Sequence, residues 1–334
     1  MEPYENGANV ILVDKYGAQE PINVMIDEFI ADAGKFDYDR IVAVGGGAVM
    51  DMSKVVAVAG GISIDDVIDH LPDFRRSVRL VLVPTTCDTG SEVTEIAAIN
   101  RTRLGCKAGI AGPEMFADDA VLVPELLYGL PDHVFATSSL DVLVHSVEST
   151  LSPNSTPYTR MFGYGAMKMI ISGYKAVAEA GPAGSPRQVQ RTDARLPDRL
   201  RLCGYRLRYR RVRCRACAEL SAGRKISYAP RESNYAMFTG VLRNYMEIKP
   251  EGEILKMNQF IADILGCDVA YVYDELETFI NKLLPKKALH EYGVTEQDLP
   301  EFADRVIKTQ ERLMKNCFVP LDYDRVLKIS KELY

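Results

Sequence analysis

The chain has 334 residues, of which 47% are hydrophobic and 26% are charged, and its formal net charge is −6. These are the values of a globular protein that is long enough for two domains, each with its own hydrophobic core. It has no membrane-length apolar stretch and no signal-peptide pattern at the N-terminus, and its seven cysteines are scattered, so we expect a cytoplasmic protein without a membrane partner.

The first 130 residues have the pattern of an α/β domain. RIVAV, at 40–44, is typical of a buried strand, and a glycine turn and an apolar helix follow it. VRLVLVP, at 78–84, predicts a second buried strand, and ADDAVLVP, at 117–124, predicts a third. Apolar strands that are interleaved with helices favour parallel pairing, so we expect a largely parallel sheet in this half.

Beyond about residue 130, apolar residues recur at helical spacing. The segments with this spacing are 136–150, 158–181, 268–284 and 299–315. The sequence therefore predicts two domains, an α/β domain over 1–130 and an all-α domain over 131–334.

Three glycines, Gly45, Gly46 and Gly47, lie between the first predicted strand and its helix. They let the backbone approach a ligand closely, and the helix N-terminus offers free N–H groups and the positive end of its dipole to a phosphate. Met50 stands where a G-x-G-x-x-G pattern would have its third glycine. A plain tight turn is therefore the alternative to a phosphate site.

A second polar loop, VPTTCDTGSE at 83–92, follows the second predicted strand. It supplies several hydroxyl groups and a flexible glycine. Ligands of open α/β sheets bind at the carboxyl ends of the strands, so two such loops together predict a binding site. A surface loop without a ligand is the alternative.

Asp141 and His145 are four residues apart in a predicted helix, LDVLVHSVE. This spacing places both side chains on one face of the helix. A carboxylate and an imidazole in that arrangement are suitable ligands for a divalent metal. A local hydrogen bond between the two side chains is the alternative.

The motifs GGGAVMDMSK, PTTCDTGSEVT and TSSLDVLVHSVES, in this order, resemble those of the iron-containing (group III) alcohol dehydrogenases. The resemblance implies an α/β N-terminal dinucleotide-binding domain and an all-α C-terminal metal-binding domain, an architecture that is dehydroquinate synthase-like. It also implies NAD or NADP and a divalent metal, Fe²⁺ or Zn²⁺, as cofactors. The implied reaction is hydride transfer between NAD(P) and a small primary alcohol, 4-hydroxybutyrate, in a homo-oligomeric enzyme.

The resemblance also assigns roles to residues at matching positions. The implied cofactor-binding residues are Gly45, Gly46, Gly47, Asp51, Lys54, Thr85, Thr86, Thr89 and Lys107. The first five form the pyrophosphate turn, the threonines belong to the second cofactor loop, and Lys107 holds the nicotinamide side. Asp141 and His145 match the first two metal ligands and, with Lys107, are the implied catalytic residues. The first βα unit of the family is not found before RIVAV, so the choice between NAD and NADP stays open.

An arginine-rich run, CGYRLRYRRVRCRAC at 203–217, departs from the family pattern. The family has two further histidine ligands where this chain has Ala216 and Pro230. If GRKISYAPR, at 223–231, is read one base later, it can encode GGKYHMPHG, which places a histidine at position 230. The same shift can place a histidine at position 216. We therefore interpret about 182–231 as a frame-shifted segment and expect this chain to be impaired.

Three other interpretations of this segment remain open. A true insertion with Tyr205 and Tyr209 between arginines would suit a nucleic-acid partner, which we favour less than the frame shift. The CxxC pair at Cys214 and Cys217 is a weak indication of zinc or redox chemistry. A catalytically dead chain that still binds the cofactor is the third possibility.

Overall fold

The structure is a computed structural model that describes residues 7–16, 21–70, 75–76, 78–87, 90–101, 106–127, 129–179, 230–309 and 314–334. The chain divides into two compact units, residues 1–127 and residues 128–334. The first unit contains strands and helices, and the described residues of the second unit are helical. The predicted fold class, an α/β part followed by an all-α part, is therefore confirmed. The arginine-rich segment lies outside the described residues.

The first unit is built from three α-helices and five strands in its described part. The helices are α1 (Asn23–Ala33), α2 (Gly47–Ala59) and α3 (Ile64–His70). The strands are β1 (Arg40–Gly45), β2 (Arg79–Pro84), β3 (Ile96–Arg101), β4 (Cys106–Ala111) and β5 (Asp119–Ala120). The order β1-β2-β5 forms a parallel sheet, and β3 and β4 form an antiparallel hairpin.

The register of β1 against β2 brings the ends of both strands together. Arg40 pairs with Arg79 at one end, and Gly45 pairs with Pro84 at the other. The Thr85 N–H donates a hydrogen bond to the Gly45 carbonyl over 3.0 Å, which extends the pairing by one residue. The two polar loops that follow the strands therefore begin side by side.

One face of β1 packs into the core of the first unit, whereas its other face is open. Ala43 is buried in a cluster with Met50 of α2 and with Leu80 of β2. Val42 and Val44 are 56% and 53% exposed. The sequence predicts a buried strand here, but β1 is an edge strand of the described sheet and α2 covers one face of it.

Two further details of the first unit differ from the prediction. The third predicted strand, over 117–124, is reduced to the two residues of β5; residues 121–123 lie outside the strand, and Pro124 begins a 3-10 turn. The hairpin of β3 and β4 was not predicted. The sheet is nevertheless parallel throughout β1, β2 and β5, as expected.

The second unit contains seven described α-helices. They are α4 (Asp132–Leu151), α5 (Pro157–Glu179), α6 (Pro230–Ile248), α7 (Glu253–Leu265), α8 (Val272–Asn281), α9 (Leu299–Thr309) and α10 (Tyr323–Glu332). Helix α4 packs against both α5 and α6. No single helix in the described part of the chain has the length and apolar composition needed to cross a membrane. Helices α2 and α3 have that length and composition only when they are taken together, and a 74° bend separates them.

Helix α4 is buried although it is rich in serine and threonine. Its hydroxyl groups donate to carbonyl groups one turn earlier, as Ser138 does to Val134 over 2.6 Å and Ser146 does to Val142 over 2.7 Å. These bonds satisfy polar groups that would be costly to bury alone. Small side chains also let α5 approach closely, since a Cβ at Gly163 would overlap the Thr150 hydroxyl. The candidate metal ligands therefore lie on a helix in the core of their unit.

Candidate functional site

The glycine turn joins β1 directly to α2. Gly46 is the N-cap residue of α2 and offers no side-chain cap to the helix. A Cβ at Gly45 would lie 2.6 Å from Val49 Cβ, so only glycine fits there, whereas a Cβ at Gly46 would lie 3.5 Å from Thr86 Cγ2. The first-turn N–H groups of α2 therefore belong to an uncapped helix N-terminus with little side-chain bulk around it, which suits a phosphate.

The second polar loop places Thr86 beside this turn. The Thr86 Oγ1 atom is buried and has no hydrogen-bond partner among the residues that the structure describes. A buried hydroxyl without a partner is costly, so Thr86 Oγ1 is a candidate to bind a ligand atom. Thr85 is half-buried on the same loop, and Thr89 lies outside the described residues. The glycine turn and the Thr86 hydroxyl together fit the phosphate side of a dinucleotide.

Asp51 and Lys54, the other predicted members of the turn, make internal contacts. The Lys54 side chain is fully buried, and its Nζ donates to Ser91 Oγ over 2.7 Å and to the Ile96 carbonyl over 3.0 Å. Asp51 Oδ2 accepts a hydrogen bond from the Ala98 N–H over 2.9 Å. Their assignment as cofactor-binding residues stays a prediction, and the contacts described here are with protein atoms.

Lys107 lies on β4, where its backbone pairs with Asn100 of β3. Its side chain is outside the described part of the structure. The predicted role of Lys107 at the nicotinamide therefore stays a prediction.

Asp141 and His145 both lie on α4, one helical turn apart. His145 Nε2 is 3.3 Å from Asp141 Oδ2. On the other side of the ring, His145 Nδ1 is 3.4 Å from Glu148 Oε2. The second oxygen of Asp141 accepts a hydrogen bond from Asn234 Nδ2 of α6 over 2.6 Å. The structure thus brings the two predicted ligands together and holds each of them with a further polar side chain.

The two carboxylates determine the electrostatics of this pair. Burial by itself lowers the pKa of His145, but the charge of Asp141 and the hydrogen bonds to Asp141 and Glu148 raise this pKa to about 10. The other three histidines of the chain, His70, His133 and His290, are exposed. His145 is therefore the one histidine that lies in an anionic, mostly buried environment, and a divalent cation would compete with its proton for that environment.

The donor set suits iron or zinc but supplies only part of a site. Asp141 and His145 offer a carboxylate oxygen and an imidazole nitrogen, which are normal ligands of both metals. No group of three or more histidine, cysteine, aspartate or glutamate side chains that could hold a metal ion occurs among the described residues. Position 216 is outside them, and Pro230 is the first residue of α6, one turn before Asn234. The described residues therefore fit half of the implied metal site.

Sequence reasoning missed two polar residues of this site. Glu148 is three residues after His145 in the same helix, so helical spacing alone could have identified it. Asn234 is 93 residues away from Asp141 in the chain. No local pattern could have placed it beside Asp141.

Comparison with known proteins identifies one matching family and related enzymes. Residues 2–124 match the family described as iron-containing alcohol dehydrogenase. Over all of its 334 residues the chain is 36% identical to the 4-hydroxybutyrate dehydrogenase of Clostridium kluyveri, 89% of which is covered. It is 28% identical to the sulfoacetaldehyde reductase of Bilophila wadsworthia, with 89% of this chain and 77% of the relative covered.

Solved structures of similar fold also cover most of the chain. The sulfoacetaldehyde reductase from Bifidobacterium kashiwanohense, solved in complex with NAD+, has a TM-score of 0.77 at 22% identity, with 95% of this chain and 81% of that chain covered. The iron-containing alcohol dehydrogenase from Thermococcus thioreducens has a TM-score of 0.76 at 23% identity, with coverage of 94% and 82%. These likenesses show a shared fold.

Proposed function

Because the chain belongs to the iron-containing alcohol dehydrogenase family, we propose that it is an NAD(P)-dependent oxidoreductase that interconverts 4-hydroxybutyrate and succinate semialdehyde. The observation that carries the choice of substrate is the 36% identity, over the whole chain, to a 4-hydroxybutyrate dehydrogenase. The fold supports the reaction class, since its similar structures include an NAD+ complex of a related reductase.

In this proposal the first unit binds the dinucleotide. The N–H groups of the first turn of α2 donate to the phosphates, and the absence of a side chain at Gly46 gives the phosphates room. The Thr86 hydroxyl supplies a hydrogen bond that no described protein group uses. Together these groups fix the cofactor so that its nicotinamide is held in one orientation.

In the second unit, Asp141 and His145 would hold the divalent metal. The metal, when bound, supplies a Lewis acid that lowers the pKa of the substrate alcohol. Asn234 fixes one oxygen of Asp141 and so leaves the other oxygen toward His145. Glu148 lies at Nδ1 of His145 and favours a proton on that nitrogen, so Nε2 is the nitrogen that would bind a metal once the metal has displaced the Nε2 proton. Both contacts prepare the two side chains as ligands.

Gly46→Ala is expected to weaken NADH binding without unfolding the protein. The new methyl group would be in ordinary contact with Thr86, at 3.5 Å, and would occupy the space proposed for a phosphate. We expect the Kd for NADH to rise at least about tenfold, the equivalent of about 1.4 kcal/mol. Fluorescence titration measures the Kd, and thermal unfolding checks the fold.

Gly34→Ala is the matched control for this variant. Gly34 ends α1 with right-handed helical angles, so alanine fits there without strain. This control should bind NADH like the unmodified chain. An unchanged Kd for Gly46→Ala would contradict the phosphate site.

The proposed function is tested by two measurements. The first is NADH and NADPH binding by the full chain, and the second is oxidation of 4-hydroxybutyrate, with added Fe²⁺ or Zn²⁺, by the chain whose reading frame is restored over about 182–231. A chain that binds neither dinucleotide would overturn the proposal. Turnover that is faster with ethanol or glycerol than with 4-hydroxybutyrate would overturn the assignment of 4-hydroxybutyrate as the substrate.

A cofactor-binding remnant without catalysis is the second candidate. The observation that favours it is that the described residues supply only two metal ligands. Dinucleotide binding without any metal-dependent turnover would support this candidate. Salt-sensitive RNA binding would instead support the arginine-rich arm as a nucleic-acid site.

We also propose that the protein works in the cytoplasm as a homo-oligomer with a small-molecule substrate. The seven cysteines of the chain are scattered without the spacing of a disulfide framework, which agrees with a reducing compartment. Sedimentation of the purified chain measures its oligomeric state.

A further inference from the structure

We propose that Asp51, Lys54 and Ser91 form a buried brace that holds the glycine turn against the second cofactor loop. These residues then act on cofactor binding by positioning, without touching the dinucleotide. The inference rests on the proposed function of the first unit as a dinucleotide-binding unit. It gives Asp51 and Lys54 a role different from the phosphate contacts that the family resemblance implies.

The brace links two parts of the first unit through one serine hydroxyl. Ser91 Oγ donates a short hydrogen bond to Asp51 Oδ1 and accepts one from Lys54 Nζ over 2.7 Å. Asp51 and Lys54 are three residues apart on α2, and Ser91 begins the 3-10 turn Ser91–Val93 at the end of the second loop. One side-chain oxygen thus joins the helix that starts at the glycine turn to the loop that carries Thr86.

The same two charged residues also reach the hairpin of β3 and β4. Lys54 Nζ donates to the Ile96 carbonyl over 3.0 Å and lies 3.3 Å from Thr94 Oγ1. Asp51 Oδ2 accepts from the Ala98 N–H over 2.9 Å. Because this hairpin carries Lys107, the brace sets the position of all three segments that the family resemblance assigns to the cofactor.

Burial makes a phosphate contact of Lys54 unfavourable. Its side chain is 0% exposed, and its charge is 3.7 Å from Asp51 Oδ1. A buried ammonium group is stable only while it is paired and hydrogen-bonded, and removing its partners is strongly destabilising. If Lys54 turned toward a phosphate, Ser91 would lose the donor of the hydrogen bond that it accepts, and the Asp51 carboxylate would lose its nearby positive charge. The contacts of Lys54 with protein atoms therefore favour a positioning role for this residue over direct binding of a phosphate.

The position of the brace along α2 explains why it should affect affinity. Asp51 lies one turn after Gly47, directly behind the N–H groups of the first turn. Rotation of α2 would displace these N–H groups from Thr86, whose hydroxyl lies beside Gly46 and has no hydrogen-bond partner in the described part of the chain. Loss of the brace should therefore lower dinucleotide affinity even in a protein that remains folded.

Lys54→Met and Ser91→Ala, each in the full chain, test the brace. The readout is the Kd for NADH from fluorescence titration at a temperature where unfolding curves show a folded protein. We expect the Kd to rise about tenfold or more in each variant, because each leaves a buried polar partner unsatisfied. Ser91→Ala removes a single oxygen atom, so it keeps the test decisive if Lys54→Met does not fold.

Lys286→Met is the matched control. Lys286 Nζ donates to Glu277 over 2.6 Å and to Thr239 over 2.9 Å, so it holds a comparable, partly buried network in the helical unit. We expect this variant to lose stability and to keep its NADH affinity within about twofold. A purely structural role for Lys54 would make Lys54→Met behave in the same way.

The outcomes separate the brace from the proposed function. If the unmodified chain binds NADH and both brace variants bind it equally well, the brace is overturned and the proposed function stands. If the unmodified chain binds neither NADH nor NADPH, the proposed function fails and the positioning role fails with it. Weaker binding by both brace variants, with normal binding by Lys286→Met, establishes the brace.

Discussion

A chain whose reading frame is restored over about 182–231 is expected to bind about one divalent metal per subunit. The chain as it stands is expected to bind little iron or zinc and to show no measurable oxidation of 4-hydroxybutyrate. The restored segment would add histidines at two positions, through Ala216→His and Pro230→His. Together with Asp141 and His145, they would complete a four-ligand set that leaves room for a substrate oxygen.

The described helices give this expectation a geometric basis at position 230. Position 230 is the first residue of α6, and Asn234 is four residues later on the same helix face. Asn234 Nδ2 is 2.6 Å from Asp141 Oδ1, so this face of α6 is turned toward the candidate ligands on α4. An imidazole introduced by Pro230→His would therefore lie one helical turn before Asn234, the residue that contacts the Asp141 carboxylate. Proline is favoured at the first helical position but is not required there.

Metal binding in the restored chain should also stabilise the fold. A metal shared by α4 and α6 would join two helices, so its binding free energy becomes folding free energy. We expect the melting temperature of the restored chain to rise with added Zn²⁺, and that of the present chain to change little. Metal content, melting temperature and turnover with NAD and with NADP are to be measured on both chains in parallel.

A chain that carries only Ala216→His and Pro230→His separates the ligands from the rest of the segment. It restores both imidazoles but keeps the eleven arginines between Arg187 and Arg215. We expect it to bind less metal than the fully restored chain, because unpaired arginines are costly to bury among helices. Equal metal content in the present and restored chains, or robust turnover by the present chain, would show that the arginine-rich segment is genuine.

The parts of the fold that could be predicted are those in which local pattern and tertiary packing agree. RIVAV and VRLVLVP are apolar, β-branched runs next to turn residues, and they form β1 and β2 in parallel register. The hairpin of β3 and β4 is different, because its first strand is IAAINR and alanine has a low strand propensity. Its position depends partly on the bond from the Ala98 N–H to Asp51, which is 47 residues away. No local pattern contains that contact.

The same distinction applies to the candidate site. Helical spacing predicts that Asp141 and His145 share a face, and the 3.3 Å distance between their side chains follows from that spacing. The amino-acid types of Asp51 and Lys54 indicate a phosphate site equally well as a buried ion pair. Only tertiary contacts, such as that of Ser91, 40 residues after Asp51, show that their side chains are bonded to protein atoms. Charged residues near a glycine turn therefore do not by themselves identify phosphate ligands.

His145→Ala, introduced into the restored chain, is expected to lower turnover by at least about a thousandfold and to remove most of the bound metal. The physical reason is that a catalytic metal contributes several kcal/mol of transition-state stabilisation, and each 1.4 kcal/mol or so is a factor of about ten in rate. Glu148→Gln should have a smaller effect of a different kind. It keeps a hydrogen-bond acceptor near His145 Nδ1 but removes the charge, so we expect the metal Kd to rise about 10- to 100-fold.

His133→Ala is the control, because His133 lies on the same helix, α4, and is exposed. It should keep both the metal and the turnover of the restored chain. Metal content by elemental analysis, the Kd for Zn²⁺ and kcat are measured for all three variants. If His145→Ala kept its metal, the Asp141–His145 pair would be a local hydrogen bond and no metal site. If Glu148→Gln instead bound metal as tightly as the restored chain, the charge of Glu148 would contribute nothing to the alignment of His145 as a ligand.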